Sequence, residues 1–186
     1  MSPEATNGGE FEELALPLFD SLYNFARWLT QNREEAEDLV QETYTKALRG
    51  FPSFQPGTNF RAWIFRILRN SFLTSRTGLA TRMTVSLNPE DEEDIVGRDP
   101  HTPESILLER IDQDSVAEAI EQLPLRYREV LLLCDVEELR YHEIAETLSI
   151  PVGTVMSRLS RARKAVRDFL QRQPGVRQPS TAGKVK

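Results

Sequence analysis

The chain has 186 residues, of which 39% are hydrophobic and 28% are charged, and its formal net charge is −6. This composition is typical of a globular protein with one or two small domains. No apolar run approaches the roughly 20 residues of a membrane-spanning helix, and the first residues lack the basic and apolar segments of a signal peptide. We therefore expect a cytoplasmic protein that is not inserted in a membrane.

No residue pattern indicates a catalytic or metal site. The single cysteine, Cys134, lies in an apolar run and is expected to be a small buried side chain. His101 and His142 have no companions at metal-ligand spacing, and no phosphate-binding glycine loop or nucleophile–base arrangement is visible. The sequence therefore predicts no enzymatic activity, no cofactor and no metal.

The first part of the chain is predicted to form two helices. Apolar residues recur at steps of three and four over residues 11–31, and Pro17 within that segment predicts a kink or a later start. Asn32 has the side chain of an N-cap and is followed three residues later by Glu35, so a second helix is predicted over 33–49, ending at Gly50.

The second predicted helix carries an acidic face, because Glu35, Asp38 and Glu42 are spaced to lie on one side. Such a face could dock on a basic protein surface. The alternative is a solvated face opposite a core stripe, and the pattern alone favours this alternative.

A loop rich in turn residues, 51–59, precedes a third predicted helix over 60–75. Its arginines cluster away from the main apolar side, yet Phe65 and Phe72 fall on the basic side. Aromatic rings among cations suit single-stranded DNA, where rings stack on bases. The alternative, which the pattern alone slightly favours, is that these rings pack beneath a neighbouring loop or helix.

An acidic segment divides the chain. Residues 79–104 contain seven acids and two bases, whereas residues 60–76 contain four arginines and no acid. We predict an all-α protein with two small helical domains, 10–78 and 104–172, a flexible linker over 79–103 and a disordered tail over 173–186. Two basic segments, separated by a flexible linker, suggest two contacts with nucleic acid.

The second domain is predicted to contain helices over 104–122 and 125–136, followed by a helix-turn-helix over 141–164. Small Ala145 allows a close approach of the last helix, and Pro151 is expected to be its first residue. That helix has a core stripe on one face and short hydroxyls and cations on the other, with six Lys/Arg and one Asp between 152 and 172. This predicts a recognition helix for the DNA major groove, the alternative being a solvated basic face.

Three motifs, in this order and spacing, resemble the extracytoplasmic-function (ECF) group of sigma factors, the sigma-70 family subunits that direct bacterial RNA polymerase to promoters. They are AEDLVQETYTKAL at 36–48, FQPGTNFRAWIFRILRN at 54–70 and LPLRYREVLLLCDVEELRYHEIAETLSIPVGTVMSRLSRAR at 123–163. The similarity extends over nearly all of residues 11–170. It implies a factor that binds core polymerase, recognises the −35 and −10 promoter elements and opens the duplex.

The resemblance implies a role for each matching residue. The domain 10–78 resembles sigma region 2 and the domain 104–172 resembles sigma region 4. Contact with the clamp helices of the largest polymerase subunit is implied for Asp38, Gln41 and Glu42, and region 4 is expected to contact the flap of the second-largest subunit. Base capture at the −10 element is implied for Phe54, Asn59 and Asn70. Strand separation is implied for Arg61, Trp63, Arg66 and Arg69.

Recognition of the −35 element is implied for the last helix, with Ser157 and Arg161 at base-contacting positions. Thr154, Arg158 and Lys164 would mainly hold phosphates. Met156 departs from the family pattern, in which many members carry Lys or Arg. The resemblance also implies an anti-sigma factor as a partner.

Two other interpretations stay open from the sequence. A stand-alone helix-turn-helix regulator would bind operators without polymerase, which gives no role to the acidic helix or to the aromatic and basic helix. A protein-interaction module derived from this fold would leave the recognition face idle.

Overall fold

A computed structural model describes residues 3–82 and 113–172 of the protein, and all regular structure in these residues is helical. The all-α fold class is thereby confirmed. The α-helices are α1 (Pro3–Ala15), α2 (Phe19–Thr30), α3 (Arg33–Gly50), α4 (Phe60–Arg82), α5 (Gln113–Glu121), α6 (Leu125–Leu131), α7 (Tyr141–Leu148) and α8 (Val152–Arg172).

Local signals in the sequence set the boundaries of the first helices. Pro17 lies in a 3₁₀ turn, Leu16–Leu18, which separates α1 from α2 and confirms the predicted interruption. The Asn32 side chain accepts a hydrogen bond from the Glu35 N–H at 3.1 Å, so the predicted N-cap of α3 is also confirmed. Gly50, however, is the last residue of α3 and has a φ of −83°, so it does not form the expected left-handed end.

The core of the first half lies between α2, α3 and α4. Phe25 and Phe65 are fully buried, with ring centroids 5.2 Å apart in an edge-to-face arrangement. Phe72 is buried as well. The two rings on the basic side of α4 therefore belong to the core, which confirms the packing alternative and removes them from any DNA surface.

The second half begins in the described residues at Gln113, and the earlier part of the predicted helix 104–122 lies outside them. Pro124 precedes α6 as expected, but the predicted single helix 125–136 changes at Leu132 into one π-helical turn, Leu132–Val136. The Glu137 N–H bonds to the Leu132 carbonyl at 3.0 Å. Cys134 lies in this turn and is half-buried, and burial raises the pKa of its thiol to about 11.

Helices α7 and α8 form the predicted helix-turn-helix. Ser149 ends α7 with a left-handed φ of 55°, and the Pro151 carbonyl accepts from the N–H groups of Thr154 and Val155. Pro151 thus precedes α8 instead of being its first residue. The expected core stripe of α8 is present, because Val155, Leu159, Ala162 and Leu170 are buried.

The two halves pack on each other, α4 against α7 and α2 against α6. One buried apolar cluster includes Leu68 of α4 and Ile144 of α7. Among the hydrogen bonds that cross the boundary, the Thr147 hydroxyl donates to the Ala62 carbonyl at 3.3 Å, and the Arg128 guanidinium donates to the Trp28 carbonyl at 2.7 Å.

The predicted acidic linker and the predicted tail lie outside the described residues, apart from residues 79–82, which continue α4. Among the helices that are described, none has the length and apolar character needed to cross a membrane.

Candidate nucleic-acid and partner-binding surfaces

The outward face of α8 carries the residues that were predicted to read duplex DNA. Ser157 and Lys164 are exposed, and Thr154, Arg158 and Arg161 are half-buried. The Ser157 hydroxyl donates to the Thr154 carbonyl at 3.1 Å. Met156 lies on the same helix with 54% of its surface exposed, so the residue that departs from the family pattern faces solvent.

Arg163 of α8 forms an ion pair within the second half of the chain. The Arg163 guanidinium donates to both carboxylate oxygens of Asp135, at 2.6 and 3.2 Å. This pair fixes α8 to the π-helical turn, and hydrogen bonding to Asp135 raises the pKa of Arg163. Arg163 therefore has a structural contact that the charge pattern of the sequence does not reveal.

The loop between α3 and α4 is held by an aromatic cluster. The Phe54 ring is stacked on Phe51 at 5.9 Å and lies 5.3 Å from Phe60 and 5.2 Å from Trp63. Asn59 ends this loop, and its side-chain oxygen accepts from the Ala62 N–H at 3.4 Å. Asn59 is thus positioned as the N-cap of α4, a role that the sequence analysis missed.

A cavity of about 620 Å³ lies between this loop and α7. Phe54, Trp63 and Arg66 line it from the first half, and Arg140 and Glu143 line it from the second. The Asn59 amide donates to the Glu143 carboxylate at 2.8 Å across the boundary. Partial burial raises the pKa of Glu143, but hydrogen bonds from Asn59 and from the Arg140 N–H outweigh it, so the net pKa lies below its usual range.

Two predicted melting arginines on α4 are ion-paired with glutamates of the second half. Arg61 pairs with Glu137, and Arg69 pairs with Glu129 at 2.9 Å. Burial raises the pKa of both glutamates, and the arginines offset this only in part. Arg66 and Asn70 on the same helix are exposed.

The sequence analysis missed these glutamates. The signal was the position of Glu129 and Glu137 at the two ends of the apolar run 130–136, because a charged side chain is rarely buried unless it is paired.

The predicted polymerase-binding residues lie on the outside of α3. Asp38, Gln41 and Glu42 are all exposed, although Glu42 forms an ion pair with Lys46 at 2.6 Å. Further along the same helix, Leu48 is 50% exposed and borders a cavity of about 280 Å³. Leu16, 63% exposed, lines this cavity from the other side. An apolar groove therefore accompanies the acidic face.

Both halves of the chain match known protein families. The family model for sigma-70 region 2 matches residues 18–82, and the model for sigma-70 region 4 matches residues 113–166. The chain is 32% identical to the RNA polymerase sigma-H factor of Pseudomonas aeruginosa over 166 residues, which cover 87% of this chain and 86% of that protein. The chain belongs to the sigma-70 family of RNA polymerase sigma factors.

Other relatives of this sigma factor are ECF proteins. It is 35% identical to the ECF sigma factor EcfG of Rhodopseudomonas palustris, over 81% of this chain and 79% of that one. It is 39% identical to the ECF sigma factor SigE of Mycolicibacterium smegmatis over 86% of its own length, and it spans 61% of that longer relative. The resemblance to the ECF group seen in the motifs is thereby confirmed.

Solved structures share the fold of this sigma factor. The sigma factor RpoE of Bartonella quintana, in complex with the anti-sigma factor NepR, is 28% identical, with a TM-score of 0.69 over 87% of this chain and 97% of that one. CnrH, in complex with the cytosolic domain of CnrY, is 23% identical with a TM-score of 0.61 and supports the fold alone.

Proposed function

We propose that this protein is an ECF sigma factor that binds core RNA polymerase, recognises both promoter elements and opens the duplex. The observation that carries the proposal is that one chain presents two different DNA-type surfaces, a basic helix-turn-helix face on α8 and a loop with an aromatic cluster beside arginines on α4. It acts as a transcription initiation factor in the cytoplasm and is not an enzyme. A stand-alone regulator is not favoured, because such a protein has no use for region 2.

At the −35 element, α8 lies in the major groove of duplex DNA. Ser157 and Arg161 contact base edges, because a hydroxyl and a guanidinium can both bond to purine acceptors. Thr154, Arg158 and Lys164 contact phosphates and fix the register of the helix. Met156 adds no hydrogen-bond donor, so this position contributes apolar contact only.

At the −10 element, region 2 captures a base that has left the duplex. Phe54, Asn59 and Asn70 surround that base, and Arg61, Trp63, Arg66 and Arg69 hold the separated strand. Flipping a base out of the duplex costs a few kcal/mol, and stacking of that base on an aromatic ring stabilises the bound state by about 1–3 kcal/mol.

Docking on polymerase uses the exposed acidic face of α3. Asp38, Gln41 and Glu42 contact the clamp helices of the largest subunit, and the apolar groove at Leu16 and Leu48 extends this contact. Charged rims with an apolar centre are usual at such interfaces. Region 4 contacts the flap of the second-largest subunit.

An anti-sigma factor is the second proposed partner. The support is the similarity to RpoE of Bartonella quintana, whose solved structure is a complex with the anti-sigma factor NepR. Such a partner would hold the protein inactive until a signal releases it.

The docking assignment is tested by charge reversal on α3. The double variant Asp38→Arg and Glu42→Arg places cations against a surface that attracts acids, so co-purification with core polymerase should fall at least about tenfold. The matched control is Glu10→Arg with Glu13→Arg, which changes the net charge equally on exposed residues of α1. Unchanged co-purification of the α3 variant would remove the assignment.

A further inference from the structure

The most exposed face of α8 is centred close to Met156. At about 100° per residue, the exposed residues between 152 and 167 fall within an arc of roughly 140°. Arg158 and Arg161 lie outside this arc, and both are half-buried. The members of the exposed arc are Val152, Gly153, Met156, Ser157, Ser160, Arg163, Lys164 and Arg167.

The chemistry of the exposed arc changes along the helix. Its last members, from 163 onwards, are all cations, and Arg163 among them is paired with Asp135. Its first members, from 152 to 160, carry no charge. Cations suit the phosphates at the border of the major groove, whereas an uncharged surface with short side chains can approach the base edges. The first half of the arc is therefore the part that is suited to reading sequence.

Met156 has the longest side chain in this uncharged part of the arc. Gly153 and Ser160 lie about one helical turn before and after it, and Ser157 follows it directly. The space beside Gly153 is open, because a Cβ atom at that position would meet no heavy atom within 4 Å. Met156 has 54% of its surface exposed. Its thioether is therefore free to extend beyond the short side chains around it.

The place of Met156 in the fold gives this exposure a meaning, since a single exposed apolar side chain is ordinary elsewhere on a protein. The second helix of a helix-turn-helix presents its N-terminal residues to base edges, and Met156 lies in the second turn of α8. The apolar group that base pairs present in the major groove is the C5-methyl of thymine. A thioether has no hydrogen to donate, and its flexible chain adapts to an apolar neighbour.

We propose that Met156 is a specificity-determining residue of this chain, which packs against the C5-methyl group of a thymine in the −35 element. The proposal rests on the proposed function for the placement of α8 in the major groove. Ser157 and Arg161 read their bases through hydrogen bonds, and Met156 adds discrimination through apolar contact. A cytosine at the same place lacks the methyl group and turns an amino group towards the thioether, which is only a weak acceptor.

The test removes this methyl group and changes nothing else in the DNA. Holoenzyme formed from the full chain and core polymerase is bound to a duplex promoter that it selects, and each thymine of the −35 element is replaced in turn by deoxyuridine. At one of these positions the Kd should rise about fourfold, which corresponds to the loss of one buried methyl group. Deoxyuridine in the spacer between the two promoter elements is the control and should leave the Kd unchanged.

Three substitutions at this one position show whether Met156 makes the contact. Met156→Ala should lose the sensitivity to deoxyuridine, whereas the matched control Met156→Leu, which keeps an apolar side chain, should retain it. Met156→Arg should move the preference at this base pair from thymine towards guanine, because a guanidinium bonds to the O6 and N7 atoms of guanine. The side chain is exposed, so all three variants should keep the wild-type midpoint of urea unfolding.

Two results would overturn the contact with thymine. One is a wild-type Kd that does not change with deoxyuridine at any thymine of the −35 element, and the other is a sensitivity to deoxyuridine that persists in Met156→Ala. In both cases the proposed function would stand if Ser157→Ala with Arg161→Ala still weakens promoter binding. A wild-type holoenzyme that selects no promoter at all would remove the proposed function, and the reading of thymine with it.

Discussion

At the scale of single residues, two phenylalanines near the start of α4 have different environments and should respond differently to truncation. Phe65 is fully buried against Phe25, so Phe65→Ala should destabilise the protein by about 3–5 kcal/mol in urea unfolding. Phe54 is only half-buried in the loop before α4, so Phe54→Ala should cost clearly less and instead weaken binding to single-stranded DNA. Equal stability costs for the two variants would contradict this division between core and site.

At the scale of elements, the sequence predicts helix boundaries and buried faces that depend on neighbouring residues. Asn32 caps α3, Pro17 separates α1 from α2, and the apolar stripe of α8 is buried as its spacing indicates. Each of these features depends on residues within one or two turns of the helix. They could therefore be predicted without knowing what packs on the element.

The side of α4 on which a ring is buried could not be predicted in the same way. This helix contacts α2 and α3 on one side and α7 on another, so most of its circumference is covered. A helical wheel assumes one buried face, and it therefore placed Phe65 and Phe72 on a basic surface. The packing alternative was correct because region 2 buries both rings.

The ion-pair partners of Arg69 and Arg61 also could not be predicted from neighbouring residues in the sequence. Arg69 and Glu129 are 60 residues apart in sequence, and Arg61 and Glu137 are 76 residues apart. The charge pattern of the sequence shows that these residues are charged, but it does not show which of them form ion pairs with each other. The resemblance to sigma factors implied DNA-contacting roles for Arg61 and Arg69, whereas the contacts that cover them became visible only in the packing of the two halves.

At the scale of the whole molecule, the stability of the packing between the two halves should depend on pH. Burial raises the pKa of Glu137, which faces Arg61 and Ser21, and of Glu129, which faces Arg69 and Arg158. A raised pKa in the folded protein means that the folded state binds more protons than the unfolded state, so this contribution to stability is full below the ordinary pKa and falls as pH rises through the raised one. The midpoint of urea unfolding should therefore move to higher urea concentration as pH falls from neutrality towards the ordinary pKa of a glutamate.

Two other groups near the boundary bear on this result. Glu143 has a lowered pKa, so its bond to Asn59 is lost only at a pH below its ordinary value. His142 lines the same cavity, and His142→Gln is the control that should keep the pH dependence. A urea midpoint that decreases on mild acidification would show that the two buried glutamates do not govern the pH dependence of stability.

The central claim is that this chain directs core RNA polymerase to promoters, and run-off transcription from a promoter library with purified core polymerase tests it most directly. We expect discrete transcripts from templates that share a −35 and a −10 element. Ser157→Ala with Arg161→Ala should reduce them at least about tenfold, since each lost base contact is worth about 1–3 kcal/mol, while core binding stays intact. Specific DNA binding without transcripts would identify a stand-alone regulator, and the absence of both activities would identify a protein-interaction module; either result would contradict the claim.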